Sequence, residues 1–156
     1  MATYDVTGPS NAGARPGRFS AGVRTPYLVE NTIDISQINS DAGTATNDVI
    51  QVLDIPAQTL IMHAGIEVIT ALSSSVTMDL GITGGDVDTF VDGDANATGY
   101  SVLTATARPV IASADTLDVL MLSAASSAGK IRVFALLCDV SGVDETDRNS
   151  ATQHDG

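Results

Sequence analysis

The chain has 156 residues, a formal net charge of −12, 44% apolar residues, only 4% aromatic residues and no tryptophan. This length suits one compact domain with a real core, and the acidic balance argues against a protein that grips nucleic acid, which takes Lys and Arg to displace phosphate counterions. A single cysteine, Cys138, leaves no intrachain disulfide and no multi-cysteine metal site.

Residues 1–26 come first and are built from Gly, Pro, Ser, Thr, Asn and Arg, with Gly8-Pro9, Arg15-Pro16-Gly17-Arg18 and Thr25-Pro26 as breakers. Such a segment buries too little apolar surface to offset its own ordering entropy, so it is expected to be an extended arm that orders on a partner. Phe19, Val23 and Tyr27 are its candidate apolar anchors, and Arg15, Arg18 and Arg24 its candidate partners for carboxylates across a contact. Against Asp5 these arginines leave residues 1–29 at +2, whereas residues 30–156, with 4 basic and 18 acidic groups, stand at −14. The N-terminus MATYDVTGPS has neither the positive start nor the apolar stretch of a secretory signal. No apolar run approaches the roughly 18 residues of a membrane helix. The expectation is a soluble protein made in the cytoplasm, with no membrane partner.

The first strand is predicted over 27–35, ending in the alternation Ile33, Asp34, Ile35. After the turn-rich stretch NSDAGTATND, Val49–Ile55 reads as a second strand, stopped by Pro56, which offers no N–H to a ladder. Thr59–Leu72 is the longest apolar run. Gly65 and the β-branched Ile66, Val68 and Ile69 disfavour a helix there, so a long, bulged strand is predicted. Ser73-Ser74-Ser75 turns the chain into VTMDLGI, the cleanest alternation of all, with Val76, Met78, Leu80 and Ile82 facing a core and Thr77, Asp79 and Gly81 facing water.

Thr83–Gly99 reads as a long Gly-Asp-Asn loop with Val87, Phe90 and Val91 tucked beneath it. Strands follow over 100–103, 108–112 (broken by Pro109) and 116–123. The turn AASSAG leads into KIRVFALLCDV, Lys130–Val140, a continuous apolar run suited to a strand buried on both sides. Cys138 lies within it and is expected to be a small buried hydrophobe. Residues 141–156 form a polar C-terminal tail. A weak echo joins the two halves: a long strand, a small-residue turn (Ser73–Ser75, Ala124–Gly129) and a return strand occur twice. Some eight short strands with Gly- and Ser-rich turns define an all-β class: an antiparallel two-sheet β-sandwich over 27–140, jelly-roll-like, carrying the extended N-terminal arm. A core of Val, Ile, Leu, Met and Ala is thin per residue, which favours oligomerisation.

Catalytic chemistry has little to stand on. His63 sits in an apolar strand without a carboxylate near it in sequence, and His154 lies in the polar tail. Gly84-Gly85 belongs to no phosphate loop, because the only lysine, Lys130, follows Ala128-Gly129. Asp86, Asp88, Asp92, Asp94 and Asn96 are a weak calcium candidate: Asp92-x-Asp94-x-Asn96 copies the start of an EF-hand loop, but Ala97 replaces the required glycine and Leu103 the bidentate glutamate. The preferred reading is a solvated acidic loop, with no metal and no cofactor. Asp34, Asp54, Glu67, Asp79 and Asp118, each between apolar neighbours, are placed on outward strand positions that blunt edge-to-edge aggregation.

The stretch LDIPAQTLIMHAGIEVITALSSSVTMDLGITGGDVDTFVDG, residues 53–93, resembles the capsid decoration (cement) proteins of tailed bacteriophages: a strand ending in IPA, a long apolar strand, a Ser-rich turn, an alternating strand and a Gly-Asp loop. The resemblance covers about a quarter of the chain and is architectural. It implies a β-sandwich protomer, commonly a homotrimer, seated on the outside of the head where major capsid protein subunits meet, with the arm along the shell and no catalytic residue. The alternative is a phage tail- or fibre-associated module that binds a receptor or carbohydrate, for which the absence of Trp and the scarcity of Tyr and Phe leave few stacking platforms.

Overall fold

The computed structural model describes residues 3–5, 25–39, 42–83, 87–95, 98–102 and 109–141. Among the described residues ten strands run in chain order: β1 (Thr3–Asp5), β2 (Tyr27–Asp34), β3 (Val49–Ile55), β4 (Thr59–Thr70), β5 (Thr77–Ile82), β6 (Val91–Ala95), β7 (Gly99–Val102), β8 (Val110–Ile111), β9 (Asp115–Leu122) and β10 (Lys130–Asp139). They make two sheets. The first has the order β1-β3-β9-β5-β6, and the second β2-β10-β4-β7, with β8 pairing the start of β4. Without β1 and β8, this is the eight-strand, two-Greek-key weave of a jelly roll, in which each sheet alternates strands from the two halves of the chain. All pairings are antiparallel except β1 on β3.

Alternation in the sequence builds the core from both sheets. Val29, Ile33, Ile61, Ala64, Ile66, Val133, Ala135 and Leu137 point inward from the second sheet, and Ile50, Met78, Leu80, Leu117, Val119 and Met121 from the first. Phe90 and Val91 are buried with them, as the loop reading expected, whereas Val87 is exposed. Cys138 is buried. β4 is the long bulged strand foreseen. Its pairing with β10 shifts register twice, leaving Met62 and Ile69 as the extra residues, and Ile69 is turned out to solvent. β2 ends at Asp34 because its carboxylate accepts the Ser36 N–H (3.1 Å) and Oγ–H (2.6 Å), which caps the short 3-10 turn Ile35–Gln37.

The two small-residue turns that echo each other in sequence meet in space at one end of the sandwich. Ser127 N donates to Ser73 Oγ (3.0 Å), Ser73 N donates to Ser126 Oγ (3.2 Å) and to the Ala128 carbonyl (3.1 Å), and Thr44 N donates to the Ser126 carbonyl (2.7 Å). Two glycines are needed there. Gly43 has φ +79° and Gly129 φ +121°, and a Cβ would fall 2.2 Å from the Ser126 carbonyl oxygen and 2.8 Å from Leu72 Cα respectively.

Three expectations are corrected. Thr83–Gly99 is not all loop, since Val91–Ala95 forms β6 on the edge of the first sheet, paired with β5 across a bulge that gives Gly93 φ +65°. Asp79 and Asp118 do not face water; both are buried. And β10 is not fully covered on both sides: buried and half-buried residues alternate along it, so its outer face is only partly covered.

Candidate interaction surface

Register decides which side chains share a face, and the outer faces of the two sheets differ in kind. On the first sheet Gln51 of β3, Asp118 of β9 and Gly81 of β5 lie in one row, flanked by the Val49–Leu120–Asp79 row and by the Asp54–Thr116 pair. Asp79 accepts the Gly93 N–H at 2.7 Å. Asp118 accepts a short hydrogen bond from the Thr83 hydroxyl, which also contacts the Thr116 hydroxyl at 2.8 Å, and Gln51 donates to that same Thr116 oxygen at 3.2 Å. The second Asp118 oxygen, Oδ1, is buried with no hydrogen-bond partner among the described residues.

Burial pushes both carboxyls above the ordinary carboxylate range. For Asp79 the Gly93 N–H works against that and the charge of Asp92 adds to it. For Asp118 the Thr83 and Thr116 hydroxyls work against it and Asp115 adds. These carboxylates are held by their neighbours and are poor contacts for an outside partner.

The second sheet carries a different face. Leu28, Leu136 and His63 stand in one row, Glu30, Phe134 and Gly65 in the next, and Thr32, Arg132 and Glu67 in the third; beyond the first row lie Cys138, Leu60 and Val110. The face is therefore apolar at one end and ionic at the other. Leu28 is 60% and Val110 55% exposed, and Leu60, His63, Phe134 and Leu136 are half-buried. The His63 and Phe134 rings lie 6.3 Å apart in a tilted contact. At the ionic end Arg132 bridges Glu67 (2.6 Å) and Glu30 (3.6 Å), and Lys130 pairs with Asp34 (3.2 Å). The Ser36 hydrogen bond, followed by Lys130, draws the Asp34 carboxyl below its usual range. Lys130 and Arg132 are the two lysine or arginine residues among those described, and both lie on this face.

Of the arm, Arg15, Arg18, Phe19, Val23 and Arg24 lie outside the described residues. Tyr27 opens β2, half-buried and packed against the protein's own core. Thr3–Asp5, at the start of the segment read as an arm, adds a parallel edge strand to β3. Among the candidate calcium ligands, Asp86 and Asn96 lie outside the described residues, Asp92 is exposed on β6, Asp94 belongs to the same strand, and Asp88 is half-buried in the preceding turn. No group of three or more His, Cys, Asp or Glu residues able to hold a metal ion is found among the described residues. Sequence reasoning missed Leu28, Leu60, Val110, Phe134 and Leu136 as surface residues. Their signal was present in KIRVFALLCDV, an apolar run that one covered face cannot account for.

No protein-family model matches the chain, and no curated protein matches it. Solved structures do. A chain in the capsid of Ralstonia phage GP4 superposes with a TM-score of 0.61 at 18% identity, covering 92% of this chain and 100% of that one. A chain of the cyanophage Pam1 capsid asymmetric unit gives 0.56 at 16% identity, over 85% and 97%. A chain of the acidic stable capsid structure of Helicobacter pylori bacteriophage KHP30 gives 0.55 at 12% identity, over 74% and 93%. At such identities the likeness is one of fold: chains from three phage capsids share it over 74–92% of this chain.

Proposed function

We propose that this chain is a non-catalytic virion structural protein of a phage head, a decoration or cement protein that binds the outside of the shell and stabilises contacts between major capsid protein subunits. The observation that carries the reading is the match to the Ralstonia phage GP4 capsid chain over 92% of this chain, with two further phage capsids sharing the fold. The charge distribution supports the outer surface. A body at −14 would be repelled by packaged DNA on the inside, where phosphate neutralisation demands cations. The protein acts as a mechanical clamp: it assembles as a homotrimer, buries surface across subunit junctions and uses the arginines of residues 1–29 against carboxylates of the shell. It has no nucleic-acid or membrane partner in this role.

Co-sedimentation with expanded shells that lack the protein tests the proposal. Saturable binding, a higher shell melting temperature, and loss of binding on charge reversal of Arg15, Arg18 and Arg24 are expected. Shells that neither bind the chain nor gain stability from it would refute the reading.

A further inference from the structure

We infer that the Asp118 carboxyl is a proton-held fastener of the first sheet: neutral, it closes a chain of hydrogen bonds across β5, β9 and β3, and ionised, it loosens that junction, so the sheet is firmer in mild acid. The placement comes from register. Asp118 sits on β9, the middle strand of its sheet, opposite Gln51 of β3 and Gly81 of β5. Gly81 brings no side chain to that row, and Thr83, two residues on, reaches Asp118 Oδ2 instead. The Thr83 hydroxyl also meets the Thr116 hydroxyl (2.8 Å), to whose oxygen Gln51 Nε2 donates (3.2 Å), and the Thr83 N–H donates to the Thr116 carbonyl (3.4 Å). One carboxyl thus ends a run of polar groups that ties three strands together.

Two observations favour the neutral form. Only 5% of Asp118 is exposed, and its Oδ1 is buried with no hydrogen-bond partner among the described residues. A charged oxygen left in that position costs far more than the carbonyl oxygen of a neutral acid. Ionised, Oδ2 accepts from the Thr83 hydroxyl and Oδ1 keeps its share of the charge without a donor. With a proton on Oδ2 the same bond runs the other way, Thr83 passes its own hydrogen to Thr116, and Oδ1 becomes the carbonyl oxygen.

The second observation is the charge around the group. On β9 itself Asp115 adds negative charge, β5 places Asp79 in the neighbouring row, and β3 places Asp54 opposite Thr116. Lys130, Arg132 and His63, the cations and the histidine among the described residues, all lie on the second sheet. The Thr83 and Thr116 hydroxyls are left as the groups that oppose the burial of an ionised Asp118. Loss of the proton to solvent leaves a charge that water must solvate, and water enters by parting Thr83 from β9.

The test is a carboxyl-carbon NMR titration of the purified full chain, read beside amide hydrogen exchange at Thr83 corrected for the intrinsic rate at each pH. The Asp118 carboxyl should titrate above the ordinary aspartate value of about 3.9. Thr83 protection should fall as pH rises from that value through the Asp118 midpoint, about tenfold for each unit between the two. Asp118→Asn keeps the shape of the neutral acid, so its Thr83 protection should stay flat over the same range. The titration needs only wild-type protein and stands whether or not the variant folds. An Asp118 midpoint at or below the ordinary value, wild-type protection that does not change across the midpoint, or a folded variant whose protection falls as wild type's does, overturns the inference.

Discussion

On β5, the most regular alternation in the chain, the side patterned for water is buried, and on β10, the most uniformly apolar strand, one side is only partly covered. Both strands lie inside their sheets, so position in the sheet does not explain the difference. What lies beside each outer face does. β6 and the Thr83–Thr116 pair crowd against Asp79 and Asp118 on the first sheet, supplying hydrogen bonds along with burial. Among the described residues nothing comparable crosses Phe134 and Leu136, which stay half-buried. Asp79 and Asp118 on the outer face of the first sheet are buried and mostly hydrogen-bonded within the chain, with Asp118 Oδ1 the exception, and the outer face of the second keeps half-buried apolar side chains.

The sharpest way to probe that difference is to make the same change on each side. Phe90 is fully buried behind the first sheet, and Phe90→Ala should cost about 3–5 kcal/mol in a denaturant melt, through lost transfer energy plus a cavity. Phe134→Ala, on the half-buried face, should cost the protomer only roughly 1 kcal/mol. Equal losses in the protomer would mean that Phe134 is as enclosed as Phe90, and the contrast between the faces would fail.

The joint at the end of the sandwich comes next. Gly129→Ala puts a Cβ 2.8 Å from Leu72 Cα at φ +121°, so about 1–3 kcal/mol of strain should appear in the same melt, with the far-ultraviolet spectrum preserved. A neutral result would show that the docked turns are loose. The ionic end of the second face should matter less. Arg132→Ala removes the bridge between Glu30 and the more buried Glu67 and should cost about 1 kcal/mol, the loss shrinking as salt is raised.

The smallest effect has the opposite sign. The folded pKa values of Asp79 and Asp118 are raised, so their ionised forms oppose folding. Their contribution to stability is therefore full below the unfolded carboxylate value, about 3.9, and is lost as pH rises through their folded values. Asp34, whose value is lowered, contributes above that same unfolded value and loses its contribution as pH falls through its folded value. Thermal melts should show Asp118→Asn raising the melting temperature at neutral pH and reducing the gain that wild-type protein makes on mild acidification. A melting temperature lower at pH 7 in Asp118→Asn would show the charged form to be the one the fold prefers.

Read from residues alone, the all-β class, the bulged Thr59–Thr70 strand, the stop at Pro56, the burial of Phe90, Val91 and Cys138, and bounds within a few residues for eight strands follow from period-two patterning and turn chemistry, which act locally. β1 and β6 were beyond that reach. Thr3–Asp5 is too short to show a period, VDGDA is dominated by residues that disfavour strands, and both take strand form because β3 and β5 present edges for them to pair with. Burial of Asp79 and Asp118, and exposure of Leu28, Val110 and half of β10, were decided by tertiary structure as well. Alternation says which residues share a face, but whether anything covers that face depends on strands and loops that are distant in sequence and arrive only when the roll closes.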